Sequence, residues 1–470
     1  MFSDRTYRDR RSQLIQTLRA AGERGLLLFL GNAESPCNYA DNTYPFRQDS
    51  TFLYFFGIDH ADFAALVDLD EGTTTVFADD LGIDAIVWMG PQPSVAELAS
   101  RGGVDRTAAA SALAEALVQA RTLGRRIHTL PPYRTDNLQR LQELLDRRSV
   151  PEASVPFIRA VVEQRAVKSA EELAEIEAAV DLSVDMHLAA MRMVRPGMRE
   201  SDVAAKVTEL ALASGAGLSF PVIATIHGET LHNHFHGNTL KSGDVFLLDC
   251  GAESRMHYAG DLSSTFPVDP TFTSRQRDIY TVVLNAHLAA VAKAGPGVPM
   301  REVHRTACRA IAEGMKGLGL MKGDLDAAVE AGAHALFFPC GTGHMMGLDV
   351  HDMEDLGEVY VGYEGQPKST QFGLKSLRLA RPLQPGFVFT VEPGVYFIPE
   401  LVRRWKAEGR FTDYVNYDAV EGWLGTGGMR IEEDLTITET GARILGKGRP
   451  RTIGEVEAER SRQEGLDRRA

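Results

Sequence analysis

Cysteine is scarce in this chain. Its 470 residues hold four, Cys37, Cys250, Cys308 and Cys340, and no CxxC pair, so a disulfide framework is excluded. Long apolar runs are missing too. The longest early one, Leu26 to Leu30, has strand length and falls far short of a membrane span. The first residues, MFSDRTYRDRRSQL, carry charge without the apolar stretch of a secretory signal. A cytoplasmic protein with no membrane partner is the resulting expectation. Positive charge is in deficit: 50 Lys and Arg against 64 Asp and Glu leave a net charge of −14. Phosphate-backbone binding needs clustered cations, so nucleic acid is not an expected partner.

What is present suits an ordinary globular protein, 44% hydrophobic and 24% charged. A chain of 470 residues exceeds one compact core, so two domains are expected. Residues 26–30, 64–69 and 73–78 read as strands, and 107–121 and 136–147 as helices, predicting a layered α/β domain over 1–164. Pro151 and Pro156 mark a linker towards its end. Ser169 with Glu172 three positions on is a capping box for a long helix that Pro196-Gly197 closes. Another helix starts at Glu200-Ser201, GDVFLLDCGAESRMHYAGDLSSTFPV reads as a hairpin, helices fit 274–294 and 300–318, and strands fit 386–397 and 429–438. The second domain is expected over 165–454, with a charged tail over 455–470.

Five segments of the second half each offer one carboxylate or imidazole in strand or turn context: Asp249 in LLDCGAE, Asp261 in YAGDLSSTFP, His344 in GTGHMMGLDVHD, Glu392 in FTVEPGVY and Glu432 in GGMRIEED. Four carboxylates and one imidazole suit a pair of divalent cations such as manganese, cobalt or zinc. Each residue alone also has a plain structural explanation: a turn former, a strand end or a solvated acidic face. Spacing does not choose between these readings.

The wording around the residues does. In this order the segments resemble the pita-bread metallopeptidases, in the branch that holds prolidase (Xaa-Pro dipeptidase) and aminopeptidase P. FRQDSTFLYFFGID at 46–59 is similar to the creatinase-type amino-terminal signature, and GLKSLRLARPLQPGFVFTVEPGVYF to a long prolidase stretch. The resemblance implies an α/β amino-terminal domain with a mixed sheet. After it comes an α+β catalytic domain with a curved antiparallel sheet. It puts Asp249, Asp261, His344, Glu392 and Glu432 on all five metal-ligand positions, for two divalent ions with manganese foremost and cobalt or zinc as alternatives. It assigns His232 and His351 to the reacting carbonyl, and Glu392 a second role as proton shuttle. Arg378 and Arg430 match substrate-side positions, Arg378 the one where prolidases bind the substrate carboxylate. His234 and His236 alternate with His232 but match no required position and read as polar loop residues.

The implied activity is cleavage of small peptides with proline second, as an Xaa-Pro dipeptidase or, alternatively, an aminopeptidase P acting on longer peptides, in a homodimer. A further alternative is a sister enzyme of the same fold, such as a methionine aminopeptidase, which lacks this amino-terminal domain, or a creatinase, which does without the five-ligand set. Another is a non-catalytic pita-bread binding module, which the full ligand set argues against. Two departures stand out. Cys340 occupies the place of a usual histidine in CGTGH, and the Asp249 to Asp261 gap is one residue longer than in prolidases, an excess that the hairpin tip around Ser254 to His257 can absorb.

Overall fold

A computed structural model describes residues 1–146 and 152–462. Two compact bodies result: Met1–Arg165 with Glu354–Tyr360, and Ala166–Met353 with Val361 onward. Among the described residues no helix is long and apolar enough to cross a membrane.

The first body is built on a mixed five-stranded sheet. Leu26–Leu30 lies antiparallel to Ala64–Asp68, which pairs antiparallel with Thr74–Phe77; the edges Ile127–His128 and Thr107–Ala108 are parallel to their neighbours. Helix Ser50–Phe56 is buried along its whole length. Asp49 caps it by accepting the Phe52 N–H at 2.8 Å. Phe29 gathers Phe55, Phe56 and Phe157 with ring centroids 5.1–5.4 Å away. Two expectations are corrected here. The helix expected over 107–121 begins only at Ala112, because Thr107–Ala108 is captured as an edge strand by Thr74–Phe77. Sheet pairing overrides the helix propensity of an alanine run. Pro156 opens helix Val155–Ala166 rather than breaking a pattern, as proline does in a first turn; Pro151 lies outside the described residues.

In the second body the Ser169–Glu172 box caps helix Ala170–Met193 with both reciprocal hydrogen bonds. Helices Ser274–Lys293 and Met300–Gly317 pack on each other. Strands Val245–Cys250 and Leu262–Pro267 form an antiparallel hairpin that places Asp249 opposite Ser263. At its tip His257 adopts φ 66° and its N–H donates to the Ser254 carbonyl. The strand expected over 386–397 is two, Val388–Val391 and Gly394–Tyr396, and that over 429–438 is also two, Gly428–Arg430 and Glu433–Ile437. All pair antiparallel. The interruptions fall at Glu392 and Glu432, so both candidate ligands sit where the ladder changes partner. The expected tail is, over Ile453–Ser461, a helix with Val456 buried against the core; residues 463–470 lie outside the described ones.

Candidate metal centre

The hairpin supplies two acids. Asp249 is the penultimate residue of the inner strand and Asp261 precedes the outer one, and both are buried. Asp261 is held by its backbone N–H, which donates to Asp434 Oδ2 at 2.9 Å. His344 arrives on an irregular segment pinned to strand Val388–Val391: its N–H donates to Thr390 Oγ1 and its carbonyl accepts from the Thr390 N–H. Gly343 must be glycine there, since a Cβ would lie 2.0 Å from the Thr390 carbonyl oxygen. Glu392 is fixed by donating its N–H to the Thr342 carbonyl at 2.8 Å.

These pieces converge. His344 Nε2 lies 3.4 Å from Asp261 Oδ2 and 3.7 Å from Glu392 Oε1. Ligating atoms of Asp261, His344 and Glu432 lie within 4.8 Å of one another. Asp249, Glu392, His232, His351 and Arg378 line the same cleft of about 530 Å³, the size of a small-molecule site. The His351 ring stacks on His344 with centroids 3.9 Å apart. His232 is exposed at the mouth, and its pKa is lowered by the packing around it, then by the charges of Arg430 and Arg378.

The electrostatics call for cations. Burial pushes Asp249 up to about 6 and Glu392 to about 7, and it drives Glu432 well above the carboxylate range, with its acidic neighbours adding to the effect. Asp249 Oδ1 and Asp261 Oδ1 are buried without a hydrogen-bond donor. Acceptors crowded together, desolvated and unpaired are what divalent ions with oxygen ligands satisfy. The residues fit such a group.

Arg430 lines the cleft and is also bound by the protein around it. Its Nε donates to Ser263 Oγ at 2.8 Å, Nη1 to the Tyr396 hydroxyl at 2.9 Å and Nη2 to Asp249 Oδ2 at 2.5 Å. With all three nitrogens engaged, it positions Asp249. Ser263 continues the chain by donating to Glu432 Oε2 at 2.7 Å. Sequence reasoning missed Ser263 and also Asp434. Both read as ordinary strand residues, and only the strand register reveals that they face the cluster. His234 was read as a plain loop residue but lines the cleft, whereas His236 is bonded to the Val222 carbonyl at 3.1 Å. Cys340 is in the cleft wall, its thiol pushed up to about 12 by burial and then by Glu392.

Comparison with known proteins identifies the family. The model of metallopeptidase family M24 matches residues 174–439, and that of the aminopeptidase P amino-terminal domain matches 7–128. The Xaa-Pro dipeptidase of Homo sapiens is 32% identical over 463 residues, 95% of this chain and 92% of its own. The Xaa-Pro aminopeptidase of Escherichia coli is 30% identical over 472 residues, 97% of each. A single-residue variant of Escherichia coli aminopeptidase P in complex with substrate matches with a TM-score of 0.81 at 29% identity, covering 98% of both chains. Pseudomonas aeruginosa aminopeptidase PepP gives 0.80 at 25%, again over 98% of both. The fold is thus the expected α/β domain followed by a pita-bread domain, and the family implies divalent metal ions. With its family model spanning the whole cleft-bearing region, the chain belongs to metallopeptidase family M24.

Proposed function

We propose that this metallopeptidase hydrolyses the Xaa-Pro bond of dipeptides. Asp249, Asp261, His344, Glu392 and Glu432 would hold two divalent ions, manganese foremost. One observation carries the reading: a single cleft brings those five side chains together with His232, His351 and Arg378. Ions bound there supply a Lewis acid for the scissile carbonyl and lower the pKa of water to make the nucleophile.

The chain's own groups do the remaining work. Glu392 keeps a fifth of its side chain exposed to the cleft. A carboxyl so poised can move a proton to the imide nitrogen as proline leaves. His232 and His351 donate to the carbonyl oxygen as negative charge develops on it. Arg378 grips the carboxylate that ends a dipeptide, since a guanidinium can pair with it bidentately. Proline has no N–H and a fixed φ, so a dedicated pocket is needed to present its bond.

Aminopeptidase P activity on longer peptides is the second reading, favoured by the full-length match to the aminopeptidase P structures. The ratio of kcat/KM for Ala-Pro to that for Ala-Pro-Ala decides between them. A ratio well above one supports the dipeptidase, and equal or faster tripeptide cleavage makes the enzyme an aminopeptidase. Chelation followed by addition of manganese, cobalt or zinc ranks the ions.

A further inference from the structure

The second body holds another ligand cluster, of different chemistry. His304 and Cys308 lie one turn apart on the buried face of helix Met300–Gly317. The short turn Ala333–Leu336 brings His334 to them. One ligating atom from each lies within 4.8 Å of the other two. All three side chains are buried, with exposures of 2%, 1% and 5%.

The hydrogen bonding is what a metal site requires. Cys308 Sγ lies 3.4 Å from His304 Nε2, while His304 Nδ1 bonds Thr342 Oγ1 at 2.8 Å. A ligating imidazole characteristically donates its far N–H to an oxygen in this way. Neither ring nitrogen of His334 completes a hydrogen bond, the Val329 carbonyl polarising one without closing the contact. An imidazole buried in this way, with both nitrogens unpaired, costs stability unless its lone pair is used.

We infer that His304, Cys308 and His334 form a buried site for one thiophilic metal ion, zinc or copper(I), separate from the carboxylate cleft. Two imidazoles and a thiolate without carboxylates select soft and borderline ions and reject manganese. Binding forms a sulfur–metal bond and releases the Cys308 thiol proton to solvent, one per ion. A thiolate neutralises copper(I) outright in three-coordinate geometry. Zinc retains one positive charge and keeps a fourth position for a further ligand. The ion would clamp Thr342, whose hydroxyl meets His304 and whose carbonyl holds the Glu392 N–H.

Cobalt(II) titration of the full chain tests this, because a thiolate–cobalt bond absorbs in the near ultraviolet and carboxylate or imidazole ligation does not. The band should appear in wild type and persist in Asp261→Asn, where peptidase activity fails, so the two sites fail independently. It should vanish in Cys308→Ala, and in His334→Gln cobalt should bind at least tenfold more weakly, with helicity checked in both. One equivalent of zinc or of anaerobic copper(I) should displace the cobalt. Absence of the band in wild type, a reading that needs no variant, overturns the site. So does a band surviving Cys308→Ala, or cobalt that neither ion displaces.

Discussion

The floor and the rim of the cleft are built by different means. Asp249, Asp261, Glu432 and Arg430 belong to paired strands or to the breaks between them; Ser263 and Arg430 tie the side chains of Asp249 and Glu432 by buried hydrogen bonds, and Asp434 holds the backbone N–H of Asp261. His232, His234 and Arg378 project from segments outside any strand, and both histidines are exposed. A sheet holds a polar cluster to the tolerance that metal geometry demands, and irregular chain can vary to suit a substrate. The floor should therefore govern turnover, and the rim should govern choice of substrate.

The sharpest way to break this division is Asp261→Asn. The amide keeps the shape and the contact from the Asp261 N–H to Asp434, but removes a charge from the centre of the floor. Turnover should fall by roughly three orders of magnitude or more, as expected when a group positioning the reacting centre is lost, and metal content should drop. Wild-type kcat with full metal content would show that Asp261 is not a ligand. Arg430→Met comes next. It leaves Asp249 buried without its cation, and breaking a buried pair costs about 3–5 kcal/mol. Metal affinity should weaken roughly 10–100-fold, the usual effect of removing a group that orients a ligand. Isothermal titration with manganese measures this, and an unchanged dissociation constant would remove Arg430 from the floor.

The same division explains what could be read from the sequence. Asp249, Asp261, His344, Glu392 and Glu432 were legible because each sits in a distinctive run of residues, and the structure brings all five to one cleft. The breaks at Glu392 and Glu432 were not legible. Apolar residues continue on both sides, so periodicity reports one strand where the ladder has changed partner. The edge strand at Thr107–Ala108 was hidden under an alanine-rich run whose local preference is helical. His304, Cys308 and His334 left no trace, since a histidine and a cysteine four apart on a helix resemble any core face. Arg430 was recognised as facing the site, but its three partners come from Asp249, Ser263 and Tyr396, far apart in sequence.

On the rim, Arg378→Ala should leave the metals in place and change selectivity. A charge-assisted pair is worth about 1.5–3 kcal/mol, so preference for Ala-Pro over Ala-Pro-Ala should shrink by roughly one to two orders of magnitude. Both kcat/KM values and the metal content should be measured together. A ratio that does not move would make Arg378 part of the architecture and return substrate choice to the floor.

The smallest effect tests whether the floor depends on what lies behind it. Helix Ser274–Lys293 packs against strands Gly394–Tyr396 and Gly428–Arg430, and it buries His287 completely. Both ring nitrogens of His287 are without partners, and burial, then the charges of Arg449 and Arg451, lowers its pKa from 6.5 to about 3. The unfolded chain therefore binds a proton that the folded chain refuses between those two values. Stability should fall as pH drops through 6.5, by at most about 1.4 kcal/mol per pH unit from this one group. His187, also lowered to about 3, adds a slope of the same sign. In His287→Leu the dependence should flatten by one proton, so that urea midpoints at pH 7 and pH 5 draw closer together, while kcat at pH 7 stays within about twofold. If the variant keeps the wild-type slope, His287 is charged in the folded protein. If kcat falls with it, the helix behind the floor sets the ligand geometry, and the separation of floor from surroundings is less sharp than the hydrogen bonds suggest.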